Sequence, residues 1–461
     1  MERINQLGAE KITRLLWQFS LPAIIGMMVN ALYNVIDRVF IGNAIGRYGL
    51  AGITISFPIM IFLMAFGMLI GIGSTTLISL RLGEQKKESA EEVLGNCLIL
   101  LLIGSVVLGG LGLLFIEPLL KLFGASHEVL SYAKQYLTVI LLGTPLQGIG
   151  FGMNNIIRAD GKPKLAMVTM LLSAILNAAL CPVFIFWLGW GIAGAAIATV
   201  TAQGISALWV LSYFLSGKSN LKLTYQNLRL RGQVVSSIIL MGLAPFLMQI
   251  AASFINIILN KSLVHYGGDQ ALAAMGLVSS LLMLIVMPVF GINQGMQPII
   301  GYNYGAKNYG RVKETLRISI LAATAVVVVG FAAVMFFPAQ MLSIFGKKDQ
   351  ALIDVGVEAL RIFLLMLPVV GFQIVGASYF QGVGKAPQAM FLSLTRQVVL
   401  LIPALLILPR FFGLVGVFYA GPTADFGSAL LTGIWLFFEL RQLEEKHQAQ
   451  LGLEPKLEGE V

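Results

Sequence analysis

Three ionisable residues lie within or at the end of long apolar stretches: Arg396 and Asp425 each interrupt one, and Asp37 closes another. A charged side chain held in hydrocarbon is costly enough to be treated as functional by default. Asp37 can act as a desolvated carboxyl group that takes up and releases a proton, or as an interfacial acid paired with its neighbour Arg38. Arg396 and Asp425 carry opposite charges, and pairing would relieve the desolvation cost of both. A structural ion pair and a second proton or substrate site are the two readings. Other chemistry is poorly supplied. His127, His265 and His447 are scattered near segment ends, and Cys97 and Cys181 lie in apolar surroundings without a C-x-x-C pair. That leaves no metal-ligand spacing and no nucleophile with its base, and Cys181 reads as a small buried packing residue. The glycines are spread through apolar segments and form no phosphate-binding loop. The expectation is a protein that is not an enzyme, uses no cofactor, and draws its energy from a proton or sodium gradient.

The elements that position these charges must be membrane helices. The chain has 461 residues, 57% hydrophobic and 11% charged, against roughly 25% charged in soluble domains. That balance excludes a soluble enzyme, a DNA-binding domain and a disordered scaffold. A bilayer core of about 30 Å takes about 20 helical residues to cross. Charge-free runs of suitable length occupy 15–36, 48–80, 98–116, 135–157, 232–260, 270–306, 318–346 and 362–384. The run 165–217 holds two helices with a turn at Gly189-Trp190-Gly191, and 386–409 and 411–438 are each interrupted by one charge, Arg396 or Asp425. Twelve spans result. Loop cations such as Arg81, Lys86, Lys87, Arg158, Lys162, Lys218, Arg229, Lys307 and Lys385 fall on the same side as the N-terminus. This asymmetry places both termini in the cytoplasm of a multi-pass protein of the cytoplasmic membrane. It also accounts for the net charge of +9 without a nucleic-acid partner. No cleavable leader is expected, and the polar tail after Glu439, lacking an apolar stripe, reads as disordered.

Landmarks recur at an offset of 222 or 223. Pro22 falls on Pro245, Asp37 on Asn260, Gly73 on Gly295, Gly83 on Gly305, Gly124 on Gly346 and Pro145 on Pro368. Gly161-Lys162 falls on Gly384-Lys385, and Gly191 and Gly194 on Gly413 and Gly416. The pattern predicts a duplicated six-helix unit: an N-terminal lobe over 1–217, a cytoplasmic linker over 218–233, a C-terminal lobe over 234–440 and a polar tail over 441–461. Parallel repeats of this kind move by rocking one bundle against the other, which exposes a central site alternately to each side.

Polar groups in the seventh and eighth spans, Gln249, Asn256, Asn293 and Gln297, either face a substrate cavity or bridge helices. Met28, Met64 and Met153 supply flexible thioethers, which suit promiscuous binding or fill core space. The substrates expected are small amphipathic or cationic molecules reaching the site from water or the bilayer.

Several segments together resemble the multidrug and toxic compound extrusion (MATE) family. They are Leu32-Tyr33-Asn34-Val35-Ile36-Asp37, Ile157-Arg158-Ala159-Asp160-Gly161-Lys162-Pro163 and Gly194-Ala195-Ala196. Asn293-Gln294-Gly295-Met296-Gln297-Pro298, followed by Gly301-Tyr302-Asn303-Tyr304-Gly305-Ala306, is similar to its MepA-type, DinF-related bacterial branch. The resemblance implies an all-α, V-shaped pair of six-helix lobes, a monomer, and cation-driven export of amphipathic, often cationic compounds. It also implies a cation-coupling site in the first lobe at Asp37, Asn177 and Thr199, flanked by Tyr33 and Asn34. DinF-related members carry Leu-Asn-x-x-Leu-Asp-Pro in helix five, and here the run is Leu176-Asn177-Ala178-Ala179-Leu180-Cys181-Pro182, with Cys181 where the aspartate would stand. At about 1.5 Å per residue, Asp37, Cys181, Thr199 and Asn177 lie roughly 6, 9, 12 and 15 Å below the outer ends of their helices. Sodium wants several hard oxygen ligands and a thiol is soft, so the substitution favours proton coupling, with sodium at Asp37, Asn177 and Thr199 as the rival. A lipid-linked oligosaccharide flippase of similar architecture is the alternative function, and it would call for clustered Arg or Lys inside the cleft, where the sequence offers Arg396 alone.

Overall fold

Gly189 and Gly191 adopt φ of 67° and 54°, a left-handed conformation open to glycine without a Cβ penalty. The chain therefore turns between the fifth and sixth spans where the sequence places the break. The computed structural model describes residues 2–343 and 350–450, with their side chains except those of 2–5, 33–36, 38, 39, 43, 47, 350 and 351. The side chains of Tyr33, Asn34 and Arg38, Gly346, and residues 451–461 lie outside that description.

The described chain is helical with no strand. The first six spans are α1 (Ile12–Ile45), α2 (Arg47–Gly83), α3 (Lys87–Leu114), α4 (His127–Ala159), α5 (Pro163–Pro182, continued by a π-helical turn Val183–Trp187) and α6 (Gly191–Leu215). A 74-residue rod, Gly232–Gly305, is broken at Gly268, where φ is 65°, and so supplies α7 (232–267) and α8 (269–305). Next come α9 (Tyr309–Phe336) and α10, made of Gln350–Phe363 and Leu367–Gly382 with a 52° bend between them. Helix α11 starts at Ala386, passes through a π-helical stretch Thr395–Leu401, and meets α12 at Gly413, where φ is 57°; α12 then runs to Gln450. Nine helices among the described residues are long and apolar enough to cross a membrane, ten with the bent pair as one span. Dividing the two broken rods brings the number to the expected twelve.

The duplication is written in the backbone as well. Positive φ occurs at Gly46 and Gly268, at Gln85 and Lys307, at Gly161 and Gly384, and at Gly191 and Gly413, each pair at the offset read from the sequence. Gly161 and Gly384 share the same φ of 81°. Both sit at a turn between helices, and a proline follows within three residues, at the first or second position of α5 and α11. Proline suits that place because its missing N–H would be unpaired anyway.

Contacts divide the chain into two compact units. One holds Pro22–Leu82 and Lys86–Ile250; the other holds Asn5–Leu21, Gly83–Gln85 and the chain from Ala251 onward. The divisions fall inside α1 and α7, so the start of α1 packs with the second unit and the start of α7 with the first. In the second unit, Asn303 and Arg311 both donate to the Leu7 carbonyl at 3.0 Å, and Arg311 also reaches the Glu10 carbonyl at 2.6 Å. In the first unit, α2 and α7 approach at Gly73 and Gly242, where a Cβ would overlap the backbone oxygens of Ile238 and Leu69. Membrane helices, without a hydrophobic force between them, associate through such small residues.

One reading of the polar segments gains detail and the other changes. The linker is a strap fixed to the first unit. Lys222 N–H donates to Glu91 at 3.0 Å, Arg231 N–H donates to Asn96 Oδ1 at 2.9 Å, and the Arg231 guanidinium pairs with Glu92 at 2.8 Å. The tail is corrected from disordered to helical as far as Gln450. Leu443, two turns beyond Leu436, is buried at 1% exposure, and Glu444 pairs with Lys313. One leucine every second turn, with an ion pair beside it, is enough to dock a helix whose composition looks uniformly polar.

Candidate cation-coupling site

Helix α5 brings the first-lobe residues together from a single face. Asn177 and Cys181 are four residues apart, hence on adjacent turns of the same side. The Cys181 thiol donates to Asp37 Oδ1 on α1 at 3.1 Å. One turn earlier, Asn177 Nδ2 donates to Thr199 Oγ1 on α6 at 2.9 Å, and that hydroxyl donates in turn to the Ala195 carbonyl at 3.1 Å. Asn177, Cys181 and Thr199 are buried and Asp37 is half-buried. The walls are apolar: Ile41, one turn beyond Asp37, shares a core with Cys181, Ile59, Leu63, Leu137 and Ala198. Ala195 and Ala198 on α6 are fully buried, so α6 can approach α5 closely. Cys181 is therefore more than a packing residue, because its sulfur is the donor that faces the carboxylate.

The second-lobe pair also forms. Arg396 Nε donates to Asp425 Oδ1 at 2.7 Å, joining the π-helical stretch of α11 to α12. Of the proposed cavity residues, Met153 is fully buried and serves as core packing, whereas Met28 and Asn256 are exposed and Met64 and Gln249 half-buried. Gln297 Nε2 donates to Gln381 Oε1 on α10 at 3.5 Å, a bridge between helices. Asn293 is buried, and its Oδ1 finds no hydrogen-bond partner among the described residues.

Two buried carboxylates were not singled out from the sequence, although each ends or follows an apolar run. Asp160, beyond the last turn of α4, accepts from the Tyr213 hydroxyl, the Ser219 hydroxyl at 2.8 Å and the Asn220 N–H at 3.2 Å. Burial outweighs these donors and holds its carboxyl above the usual aspartate range. Glu439 on α12 pairs with Lys385 at 2.5 Å and accepts from the Tyr379 hydroxyl at 3.2 Å. It borders a cavity of about 300 Å³ walled by Phe380, Trp435 and Phe438.

A protein-family model described as MatE matches the chain twice, over residues 22–183 and 245–406. The chain belongs to the MATE family. Both ends of the two MATE matches are 223 residues apart, the spacing on which the glycines and prolines repeat. The multidrug export protein MepA of Staphylococcus aureus is 28% identical over 425 residues, covering 91% of this chain and 92% of its own length. MepA of Staphylococcus haemolyticus is 27% identical, covering 95% and 96%. Among solved structures, the MATE multidrug transporter DinF-BH, solved as a complex, is 45% identical, with a TM-score of 0.87 over 93% of this chain and 96% of that one. A MATE structure in complex with MaL6 aligns with a TM-score of 0.91 at 26% identity, over 96% of this chain and 100% of that one. The helical, multi-span architecture is thus the MATE architecture.

Proposed function

We propose that this MATE protein exports amphipathic organic cations in exchange for protons, with Asp37 as the group that carries the proton. The observation behind this reading is the Cys181–Asp37 hydrogen bond. It places a thiol where a second carboxylate would be needed to hold a hard cation. Of the remaining side-chain oxygens, that of Thr199 is already engaged. Thr199 Oγ1 already accepts from Asn177 and donates to Ala195, and Asn177 turns a donor, not its carbonyl oxygen, toward that hydroxyl. A lone carboxyl group in an apolar wall can still pass between neutral and charged forms. A thiol is a weak donor that solvates the anion only slightly, so proton uptake stays open. Export itself is supported by the relatives, multidrug export proteins over nearly their full length.

In alternating access, deprotonation of Asp37 on one side would favour taking up a cationic substrate, and protonation on the other would favour its release. Each ligand shifts the equilibrium only through its differential affinity for the two states. The flippase reading is weaker, because Arg396, the one arginine in α11 at mid-depth, already engages Asp425. The test is uptake of a cationic dye into proteoliposomes under an imposed pH gradient or an imposed sodium gradient. Accumulation driven by the pH gradient and indifferent to sodium supports the proposal; the reverse pattern removes it.

A further inference from the structure

The Arg396–Asp425 pair is only half satisfied. Among the described residues the hydrogen bond of Arg396 runs through Nε alone, with neither Nη group hydrogen-bonded to a protein acceptor, and Asp425 accepts on Oδ1 with no donor on Oδ2. Two uncommitted polar atoms lie close in sequence on the same helices. The Ser428 hydroxyl, three residues and so one turn beyond Asp425, is buried at 1% exposure without a partner, and so is Gln397 Oε1, beside Arg396, at 9%. The pair is also not sealed, since the Arg396 side chain keeps 30% of its surface.

Depth gives that exposure a meaning. Arg396 lies ten residues into α11, about 15 Å from its inner end at about 1.5 Å per residue and near the middle of a core of about 30 Å. A guanidinium exposed there to lipid chains would be costly, so we read its open face as turned toward water within the protein. The π-helical turn that carries it is a geometry concentrated at functional sites. A planar fork with both Nη groups available matches a carboxylate through two parallel bonds. A lone anion would bring net charge to a neutral pair in a low-dielectric setting. A ligand with both charges would not, because its cationic group can meet Asp425 Oδ2.

We infer that Arg396 and Asp425 form a second-lobe recognition site for zwitterionic amphipaths, the ligand's carboxylate binding Arg396 and its ammonium or other cationic group binding Asp425. The inference rests on the export reading and extends its substrate class from cations to zwitterions. Phospholipid head groups share this chemistry, but they sit at the bilayer surface, not at this depth.

The test is equilibrium binding to purified protein in detergent, which needs no ion gradient. The probes are a rhodamine with a free benzoate and its methyl ester, alike except for the anionic group. In the wild type the acid and the ester should both bind. In Arg396→Gln combined with Asp425→Asn, which removes both charges together, the ratio of acid Kd to ester Kd should rise about tenfold, the effect of one charge-assisted hydrogen bond. An unchanged ratio overturns the site. So that the outcome does not depend on a variant folding, arginine modification by phenylglyoxal in the wild type supplies a second measure. The acid should protect the peptide carrying Arg396 and the ester should not; equal protection, or none, also overturns it. Excess phosphatidylethanolamine should leave acid binding unchanged, and displacement would replace the proposal with a lipid site. If the wild type fails to accumulate the ester under a pH gradient, the export reading fails on its own, whatever the binding ratio shows.

Discussion

Replacing Cys181 with aspartate restores a second carboxylate beside Asp37, and the structure sets the size of the effect. The thiol sulfur lies 3.1 Å from Asp37 Oδ1, so the new carboxylate would sit at about the same place. Two like charges about 4 Å apart repel by about 4 kcal/mol at an effective dielectric constant of about 20, roughly a thousandfold in population. The variant cannot hold both charges uncompensated. It must keep one proton or recruit a cation, and the added oxygens make sodium a suitable one. Proteoliposomes loaded with a fluorescent organic cation, under separate pH and sodium gradients, read this directly. The wild type should respond to the pH gradient alone, whereas Cys181→Asp should gain sodium-driven transport and lose part of its response to pH. The reasoning is refuted if the wild type is already driven by sodium, or if the variant matches the wild type under both gradients.

Other expectations follow from the same geometry. Asp37→Asn should reduce pH-driven transport by an order of magnitude or more while leaving the protein folded in detergent, as judged by its elution profile and melting temperature. Gly242→Val should lower the melting temperature, since its side chain would overlap the Leu69 carbonyl and overpacking costs about 1–3 kcal/mol. Gly110→Ala, where nothing stands within 4 Å, should be neutral or slightly stabilising. Asp160 gives a pH dependence of defined sign. Burial raises its carboxyl above the ordinary range, so folding favours the protonated form. That contribution is complete below the unfolded aspartate range and is lost as pH rises through the raised folded value. Wild-type melting temperature, followed upward through the acidic range, should carry this decline, and Asp160→Asn should flatten it.

The spans and the repeat were legible because bilayer physics writes them in large features: charge-free runs, and glycines at turns where positive φ is required. The Arg396–Asp425 pair was legible for a related reason, since two opposite charges inside one hydrophobic bundle have few stable arrangements other than each other. The docked tail and the strapped linker were not. Leu443, Glu444 and Lys313 become meaningful only once α9 and α12 are side by side, and Glu91, Glu92 and Asn96 look like an ordinary solvated helix start until the linker lies across them. Cys181 shows the same limit in the site itself. Its residue type suggests packing, and only the placement of α1 against α5 makes it the donor to Asp37.

The two halves preserve a skeleton and divide the chemistry. At the 223-residue offset of the two MATE matches, Asp37 corresponds to Asn260, Asn177 to Leu400, Cys181 to Ala404 and Arg396 to Ser173, while at the offset of 222 set by Gly191 and Gly413 Asp425 corresponds to Gln203. What repeats is the set of positions where a Cβ or a regular φ would spoil the path of the chain, such as Gly161 and Gly384. What does not repeat is the pairing chemistry of Asp37, Cys181, Arg396 and Asp425, although Arg38 does fall on Lys261. A duplication that merely doubled one site would have kept the carboxylate in both copies, because a buried charge without a role is a standing cost. Here the first unit holds an acid without a basic partner in contact among the described residues, suited to exchanging a proton, and the second holds a neutral pair, suited to meeting a ligand that carries both signs. Coupling and recognition can then be perturbed separately. Cys181→Asp should change which ion drives transport without changing the acid-to-ester preference, and removal of the Arg396–Asp425 pair should change the preference without changing the driving ion.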